Sequence, residues 1–298
     1  MRCDVSHVCG TRTAFKLESR MLNEQLIMTP TTPGPIIPKI QAKKIALPTE
    51  HGSWGFLFEP IVAGWAIAFS VGGVFISLMV IGGFLLRQPI KTYVIDRQGM
   101  RVAARSRAAM KFMAMFAGIS ALGLTGALLT VGWAPLLPFI IPSPLIIYQL
   151  YSDTQKRSRG LGPELSGAVM MSASIAAVVL AAGGSWSVAG ALWAVVFARL
   201  FSSVLYVRER LLLEKGKPYQ RTPAVAAHVT GVLLAGVLAY FRLVPALVLL
   251  PFVLLLYRCV AGLSPDRKPM KAMQIGVREV IFGGVLVVSM IIGYYTGV

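Results

Sequence analysis

The chain has 298 residues, of which 56% are hydrophobic and 14% charged, with a mean hydropathy of +0.70 and a formal net charge of +17. Because soluble domains carry about 25% charged residues, this composition excludes an ordinary soluble fold and predicts that lipid surrounds most side chains. The basic residues lie between apolar segments, where they set topology, so the charge does not indicate a nucleic-acid partner.

The first 45 residues differ from the rest of the chain. They are polar, contain the stretch TPTTPGPIIP and lack the apolar run after Arg2 that a secretory signal needs. We predict an N-terminal tail at 1–45 that is disordered or precedes the true start, and a single transmembrane helical domain at 46–298. Cys3, Cys9 and Cys259 have no paired spacing, so we expect neither a disulfide framework nor a CxxC metal site.

Apolar runs recur along the rest of the chain, each close to the ~20 residues that a helix needs to cross ~30 Å of hydrocarbon. A helix satisfies its own backbone hydrogen bonds in lipid, which an open strand cannot do. The sequence therefore predicts an all-α, polytopic membrane helix bundle of about nine transmembrane helices. The nine segments are 54–71, 73–87, 111–130, 133–150, 163–182, 186–206, 223–240, 243–261 and 277–295.

The basic residues indicate the orientation of these segments. With nine spans, 27 of the 29 Lys and Arg residues fall on one side, because they precede residue 54 or occupy alternate connections. The positive-inside rule makes that side cytoplasmic, which leaves the N-terminus inside and the C-terminus outside. We predict a multi-pass protein of the inner (cytoplasmic) membrane, with membrane lipids as partners and an oligomeric state that the sequence leaves open.

Polar residues surround the start of the first predicted span, in the stretch LPTEHGSWGFLFEP. Charges at or inside a span are costly and tend to be paired or functional. Pro60 frees a backbone carbonyl, and a helix kinked there beside a carboxylate could line a pocket. The alternative is an interfacial cap in which the carboxylate pairs with an arginine. The candidate ligand-binding residues are Glu50, His51, Trp54 and Glu59.

Two further clusters lie at predicted cytoplasmic ends. The stretch LLRQPIK ends the second span, where an arginine either builds an anion site with its planar fork of donors or snorkels to head groups. The stretch YSDTQKRSRGLGPEL joins the fourth and fifth spans, and helix capping and topology are the alternative there. The candidates are Arg87, Gln88 and Lys91 in the first stretch, and Tyr151, Asp153, Lys156, Arg157 and Glu164 in the second.

The sixth predicted span carries a polar face. Arg199, Ser202, Tyr206 and Arg210 recur at steps of three and four residues, so they share one side of a helix. Arg199 is the one basic residue that the sequence assigns well inside a span, so we expect it to face the bundle and meet a carboxylate. A purely structural ion pair is the alternative. The candidate carboxylates are Glu59, Glu164 and Glu279.

His228 is the only histidine within a predicted span. Since a single histidine does not make a metal site, we expect it to be packed or hydrogen-bonded, and we predict no metal and no cofactor. All of these polar clusters map to the cytoplasmic half of the bundle. An anionic lipid or a phosphorylated ligand is therefore the candidate partner.

The stretch EHGSWGFLFEP, followed by RQP after the second span and by YSDTQKRSRGLGPELSG, resembles the YwiC-like family of bacterial membrane proteins. That family carries an HG(A/S)W motif at its first span, which stands here at residues 51–54. The resemblance covers about residues 45–298. It implies a membrane topology and no particular reaction.

The nine-helix pattern with an inside N-terminus is also similar to UbiA-type intramembrane prenyltransferases. Those enzymes hold Mg²⁺ and a diphosphate with two Asp-rich motifs, NDxxDxxxD and DxxxD. This chain departs from both, because it keeps only Asp96 after the second span and has Glu209 and Glu214 after the sixth. The similarity thus implies a transferase with altered chemistry, in which Arg and Lys bind a phosphorylated or carboxylated lipid directly.

Three functions remain open from the sequence. The first is a protein that binds or moves an anionic or amphipathic ligand at a cytoplasm-facing polar cavity. The second is a UbiA-like intramembrane transferase, and the third is an assembly factor for a membrane complex. The position of the buried charges relative to one another distinguishes a shared site from separate structural contacts.

Overall fold

The computed structural model of the protein describes residues 42–48, 51–99, 103–155 and 160–298. Within these ranges every regular element is helical, which confirms the all-α prediction. Two 3₁₀ segments, Ala134–Phe139 and Ala246–Val248, precede α5 and α9. The α-helices of the described chain are α1 (Ala42–Ala46), α2 (His51–Ile67), α3 (Val71–Gln98), α4 (Ala103–Val131), α5 (Ser143–Thr154), α6 (Leu161–Ala181), α7 (Trp186–Glu214), α8 (Arg221–Tyr240), α9 (Leu249–Gly262) and α10 (Ala272–Thr296).

Among the described residues, six helices are long and apolar enough to cross a membrane by length and composition, namely α3, α4, α6, α7, α8 and α10. They confirm a polytopic membrane helix bundle. A shorter apolar segment, Ala246–Gly262, includes α9. The count of nine spans and their orientation stay predictions.

Prolines break one predicted span and shorten another, so both are wrong as single continuous helices. The segment predicted at 133–150 divides into a 3₁₀ turn that contains Pro135 and Pro138 and the short helix α5. The segment predicted at 243–261 begins with the 3₁₀ turn after Pro245, and α9 follows it. Proline has no amide hydrogen and clashes with the preceding helical turn, so closely spaced prolines prevent a continuous α-helix.

Helices α3 and α4 form an antiparallel hairpin that extends beyond the predicted apolar segments. Helix α3 continues from the predicted end at Arg87 to Gln98, and the buried Asp96 pairs with Arg105 of α4 at 3.2 Å. Near the other end of the hairpin, Ser70 caps α3 by accepting a hydrogen bond from the Gly73 amide at 3.0 Å. The short helix α1 packs against this hairpin.

Contacts between helix ends show that α2 and α10 end on the same side and that α3 starts where α4 ends. The ends of α2 and α10 meet where the Tyr295 hydroxyl donates to the Ala66 carbonyl at 2.8 Å, and Gly72 at the start of α3 lies against Val131 at the end of α4. We call this the opposite end of the bundle. Lys and Arg residues of the described chain cluster around the ends of α3, α7 and α9 and the starts of α4, α8 and α10, and we call this the basic end.

Helices α2 and α10, the first and last of the predicted spans, run parallel to each other. A Cβ added to Gly55 would lie 3.4 Å from the Val280 side chain, Glu59 lies beside Gly283, and the Ala66 carbonyl contacts Tyr295. Residue numbers therefore increase in the same direction along both helices. A parallel first and last helix requires an odd number of crossings when successive helices alternate. The odd number of crossings itself stays a prediction.

Helices α6 and α7 are the most buried of the six long helices, and α4 and α8 the most exposed. The Trp193 indole donates to the Ser172 hydroxyl at 3.0 Å between α6 and α7. The largest apolar cluster extends from these two helices to α2, α8, α9 and α10. The buried polar residues described next lie at the edge of this core, between α2, α7, α9 and α10.

Candidate functional site

Arg199 lies near the middle of α7 and is 1% exposed, in contact with two other helices. Its Nε lies 3.0 Å from Oε1 of Glu59 on α2, a residue that is 7% exposed. Its Nη2 donates to the backbone carbonyl of Glu279 on α10 at 2.6 Å. The prediction that Arg199 faces the bundle and meets a carboxylate is therefore confirmed, with Glu59 as the carboxylate.

The geometry of α2 and α10 explains how a carboxylate fits at this depth. Glu59 lies eight residues from the start of α2, a rise of about 12 Å, and Pro60 follows it inside the helix. On α10, Gly283 faces the carboxylate, and a Cβ at that position would collide with Oε2 of Glu59 and lie 3.0 Å from Nη2 of Arg199. The missing side chain of Gly283 thus provides the space that the ion pair occupies.

A second ion pair adjoins the first through Glu279. Arg258 of α9 pairs with the Glu279 carboxylate, and its guanidinium lies 4.1 Å from the centre of the Tyr206 ring and 5.0 Å from that of Phe282. A guanidinium over aromatic faces gains cation–π attraction, which is stronger away from water. Arg258 is 9% exposed and Glu279 5%, so both charges belong to the bundle interior.

Arg258 is the functional candidate that the sequence reasoning missed. It was counted with the basic residues that set topology, although it falls inside the predicted segment 243–261. The rule applied to Arg199, that a charge inside a span must find a partner, applies equally to Arg258. The position of Arg258 inside a predicted span is therefore the sequence feature that indicates a buried, paired arginine.

His228 of α8 completes the group. Its Nδ1 lies 2.7 Å from the Ala224 carbonyl and its Nε2 lies 3.4 Å from Nη2 of Arg258. A carbonyl only accepts and a guanidinium only donates, so these contacts fit a neutral imidazole with the hydrogen on Nδ1. The prediction of a hydrogen-bonded histidine is confirmed. We call the six side chains the buried charge network: Glu59, Arg199, Tyr206, His228, Arg258 and Glu279.

The network is balanced in charge but not in hydrogen bonds. Two guanidinium groups face two carboxylates, and buried charges are tolerated in a membrane protein chiefly when they are paired in this way. Among the described residues, however, both ion pairs leave buried atoms without a hydrogen-bond partner, namely Nε and Nη1 of Arg199, Nε of Arg258, Oε1 of Glu59 and Oε2 of Glu279. The 3.0 Å approach of Glu59 to Arg199 is therefore an ion pair without a well-aligned hydrogen bond.

The polar face of α7 continues from the network towards the basic end. The Ser202 hydroxyl donates to the Arg199 carbonyl of its own helix at 3.1 Å. Arg210 is 2% exposed; it pairs with Glu214 at 2.7 Å and donates to the carbonyls of Gly262 and Lys268, the latter at 2.6 Å. Arg210 thus ties α7 to the end of α9, a contact that positions the helices around the network.

The candidates on α3 and α5 form a different contact. Arg87 donates from Nε and Nη2 to the two oxygens of Asp153 at 2.5 and 3.0 Å, and Asp153 is fully buried. The Gln88 amide donates to the Lys44 carbonyl at 3.2 Å. This bidentate arginine–carboxylate pair holds α3 against α5.

The remaining candidates have varied positions. Trp54 stacks on Phe58 and lies edge-on to Phe84. Glu164 lies in the first turn of α6, as predicted, Lys91 is half-buried on α3, and Tyr151 is exposed on α5. Three candidates, Glu50, Lys156 and Arg157, lie outside the described residues, as does the side chain of His51. The predicted ligand-binding role of these residues stays a prediction.

Within the described part of the chain, no group of three or more His, Cys, Asp and Glu side chains is arranged to hold a metal ion. The arrangement of the buried charge network instead allows exchange of partners between cations and anions. Each guanidinium can accept a different anion in place of its carboxylate, and each carboxylate can be neutralised by a proton.

Part of the chain matches the model of a known protein family. Residues 47–179 match the family model described as YwiC-like protein, which confirms the resemblance over that region. No curated protein and no solved structure shows significant similarity to the chain. The matched region runs from before α2 to near the end of α6 and contains Glu59, Arg87 and Asp153, whereas Arg199, Arg258 and Glu279 follow it.

Proposed function

We propose, with the YwiC-like match as the premise, that this multi-pass membrane protein binds an anionic or amphipathic ligand at the buried charge network and moves it within or across the membrane. The observation that carries the proposal is Arg199, a guanidinium in the middle of the bundle whose Nε and Nη1 have no hydrogen-bond partner among the described residues.

The cost of burying charge supports a role beyond packing. Replacing a buried ion pair by apolar side chains of similar volume is often neutral or stabilising, so two such pairs in one bundle are weak evidence of a stabilising function. Ionisable residues inside membrane spans are more often part of a ligand or ion pathway. A guanidinium also suits phosphate and carboxylate groups, because its donors match two oxygens at once.

The polar face of α7 supports access from the basic end. Arg210, Tyr206, Ser202 and Arg199 follow one another along this face from the end of α7 to its middle. The basic end is the predicted cytoplasmic side. We therefore propose that the ligand enters from the cytoplasmic leaflet of a bacterial inner membrane, where the basic clusters attract anionic head groups.

A thermal-unfolding experiment tests the proposal. The purified protein is unfolded in detergent with short-chain phosphatidylglycerol, which carries one negative charge, or with zwitterionic phosphatidylcholine. We expect phosphatidylglycerol alone to raise the unfolding temperature, since a ligand at a hundredfold excess over its Kd stabilises by about 2.7 kcal/mol. The double variant Glu59→Gln/Arg199→Gln removes both charges at similar size and should lose this shift.

The matched control is Lys217→Gln, which removes a cation from an exposed position between α7 and α8 and should keep the shift. An equal shift in all three proteins would contradict binding at the network. Formation of a new lipid product would favour the transferase, and a stoichiometric partner protein in the native membrane, without a lipid effect, would favour the assembly factor.

A further inference from the structure

We infer that Glu59 is the exchangeable proton acceptor of the buried charge network, so that entry of an anion at Arg199 is coupled to uptake of one proton by the Glu59 carboxylate. The inference rests on the proposed function, since it names the co-substrate of the same site. It follows from the charge balance of the network and from the unequal contacts of its two carboxylates.

The charge balance sets the stoichiometry. Arg199 and Arg258 balance Glu59 and Glu279, and the contacts of His228 fit a neutral ring. A monoanion that joined this set would leave one uncompensated negative charge inside the bundle, which is unfavourable away from water. Conversion of one carboxylate to a carboxylic acid by a proton restores neutrality, and the released guanidinium then binds the anion.

The contacts of the two carboxylates identify Glu59 as the one that takes the proton. One carboxylate oxygen of Glu279 accepts a hydrogen bond from Arg258, which is itself held by Tyr206 and His228, and the other oxygen has no partner among the described residues. Glu59 has only the unaligned approach of Arg199 Nε, because Arg199 Nη2 is committed to the Glu279 backbone carbonyl. Fewer hydrogen bonds stabilise the charged form of Glu59, so it is the easier carboxylate to neutralise.

Glu279 and His228 are the other proton acceptors among the described residues near this part of α2, and both already take part in the contacts of Arg258. Arg199 faces Glu59 from α7 and Glu279 from α10, and Arg258 and His228 stand behind Glu279 on α9 and α8. Helices α3 and α6 present apolar side chains to α2, including Ile76, Val80 and Val178. The proton therefore comes from water at the basic end or arrives with the ligand.

The position of Glu59 on α2 suggests what its neutralisation does. Pro60 removes a helical hydrogen bond next to it, so α2 is easier to bend there than a regular helix. The ion pair to α7 holds this segment in place. Loss of the negative charge releases α2 from α7 and leaves the forked donors of Arg199 directed at the space that the carboxylate occupied.

Infrared difference spectroscopy of the ligand-free protein in nanodiscs tests the proton acceptor directly. Between alkaline and mildly acidic pH we expect the carbonyl band of a carboxylic acid shielded from water. The band should be lost in the charge-neutral variant Glu59→Gln/Arg199→Gln and kept in the matched charge-neutral variant Arg258→Gln/Glu279→Gln. No band in the native protein, or loss of the band in the second variant alone, overturns the inference.

Two further variants keep the test decisive if a double variant fails to fold. Glu59→Asp retains an acid and should move the band without abolishing it, whereas Asp266→Asn, at an exposed position, should leave it unchanged. If the carbonyl band does not move in Glu59→Asp, Glu59 is not the proton acceptor.

The coupling has its own measurement. Calorimetric titration with short-chain phosphatidylglycerol in two buffers of different ionisation enthalpy counts the protons taken up for each lipid bound. We expect the native protein to take up one proton for each lipid bound. If the lipid binds without proton uptake, the coupling is wrong and the proposed function still holds. Absence of binding contradicts the proposed function, while the ligand-free infrared result still decides whether Glu59 is the proton acceptor.

Discussion

At the scale of single residues, the buried charge network depends on a small residue as much as on charged ones. The Glu59 carboxylate occupies the volume that a side chain at position 283 would fill, and the neighbouring Gly284 faces open space. Two adjacent glycines on α10 thus have different roles. One makes room for an ion pair, and the other has no contact that requires its small size.

This difference yields a matched pair of substitutions. Gly283→Ala should lower stability by about 2 kcal/mol, because overpacking a filled interior costs roughly 1–3 kcal/mol and the displaced carboxylate loses its arginine. Gly284→Ala should be neutral or stabilising by up to about 1 kcal/mol, since alanine favours a helix over glycine. Thermal unfolding of both variants in detergent measures the effect, and equal behaviour would contradict the packing described for Glu59.

Residue by residue, the sequence indicated which charges would be buried better than it indicated their partners. Arg199 stood out because it lies in the middle of an apolar run, and three carboxylates were equally eligible for it. Only the side-by-side packing of α2 and α7 selects Glu59. Arg258 was overlooked because it lies near a span end, where a long side chain can either reach water or turn inward.

At the scale of elements, the α3–α4 hairpin shows how small residues bring two membrane helices together. Gly123 of α4 packs on the backbone of α3, where an added Cβ would lie 2.7 Å from the Phe75 carbonyl oxygen and 2.8 Å from Met79 Cα. The Ser120 hydroxyl donates to the Met79 carbonyl at 3.0 Å. In lipid, where no hydrophobic effect drives association, such close backbone contact is a main source of helix–helix affinity.

The hairpin offers a second matched pair. Gly123→Ala should destabilise the protein by about 1–3 kcal/mol, because backbone atoms cannot rotate away from the new methyl group. Gly118→Ala, one turn earlier on the exposed side of α4, meets no atom within 4 Å and should not destabilise. Comparison of the two unfolding temperatures checks this. A neutral Gly123→Ala would mean that α3 and α4 do not pack as closely as the structure has them.

The elements also mark the limits of the apolar pattern. Hydropathy located the helices but not their ends, since α3, α4, α7 and α10 continue into charged sequence where intrahelical hydrogen bonds still form. The prolines in the segment predicted at 133–150 indicate from the sequence that its helix is interrupted before α5. The ion pair between Asp96 and Arg105 could not be predicted in this way, because it depends on how the antiparallel helices α3 and α4 align.

At the scale of the whole molecule, the parallel course of α2 and α10 links the topology to the site. Both helices start at the basic end, and this common direction brings Glu59 and Glu279 to the same depth around Arg199. An even number of crossings would reverse α10 relative to α2. The buried charge network therefore depends on the parallel course of α2 and α10.

Cysteine labelling in intact cells tests this topology. In a chain whose Cys3, Cys9 and Cys259 are replaced by serine, Lys217→Cys at the basic end should react only after the membrane is permeabilised, if that end is cytoplasmic. Phe241→Cys, at the opposite end and 65% exposed, should react with a membrane-impermeant maleimide from outside. Labelling of both sites from the same side would refute the alternating arrangement, and the reversed pattern would refute the orientation.

The sequence by itself determined that this protein is a helical membrane bundle, and it predicted that the basic residues gather at one end. Those properties follow from local quantities, namely the length of apolar runs, the positions of Lys and Arg, and the need of each backbone amide for a partner in lipid. Only the tertiary structure decided which arginine pairs with which carboxylate. Glu59, Arg199, Arg258 and Glu279 are distant in sequence, and their pairing depends on the direction, depth and rotation of four helices, which no single apolar segment specifies.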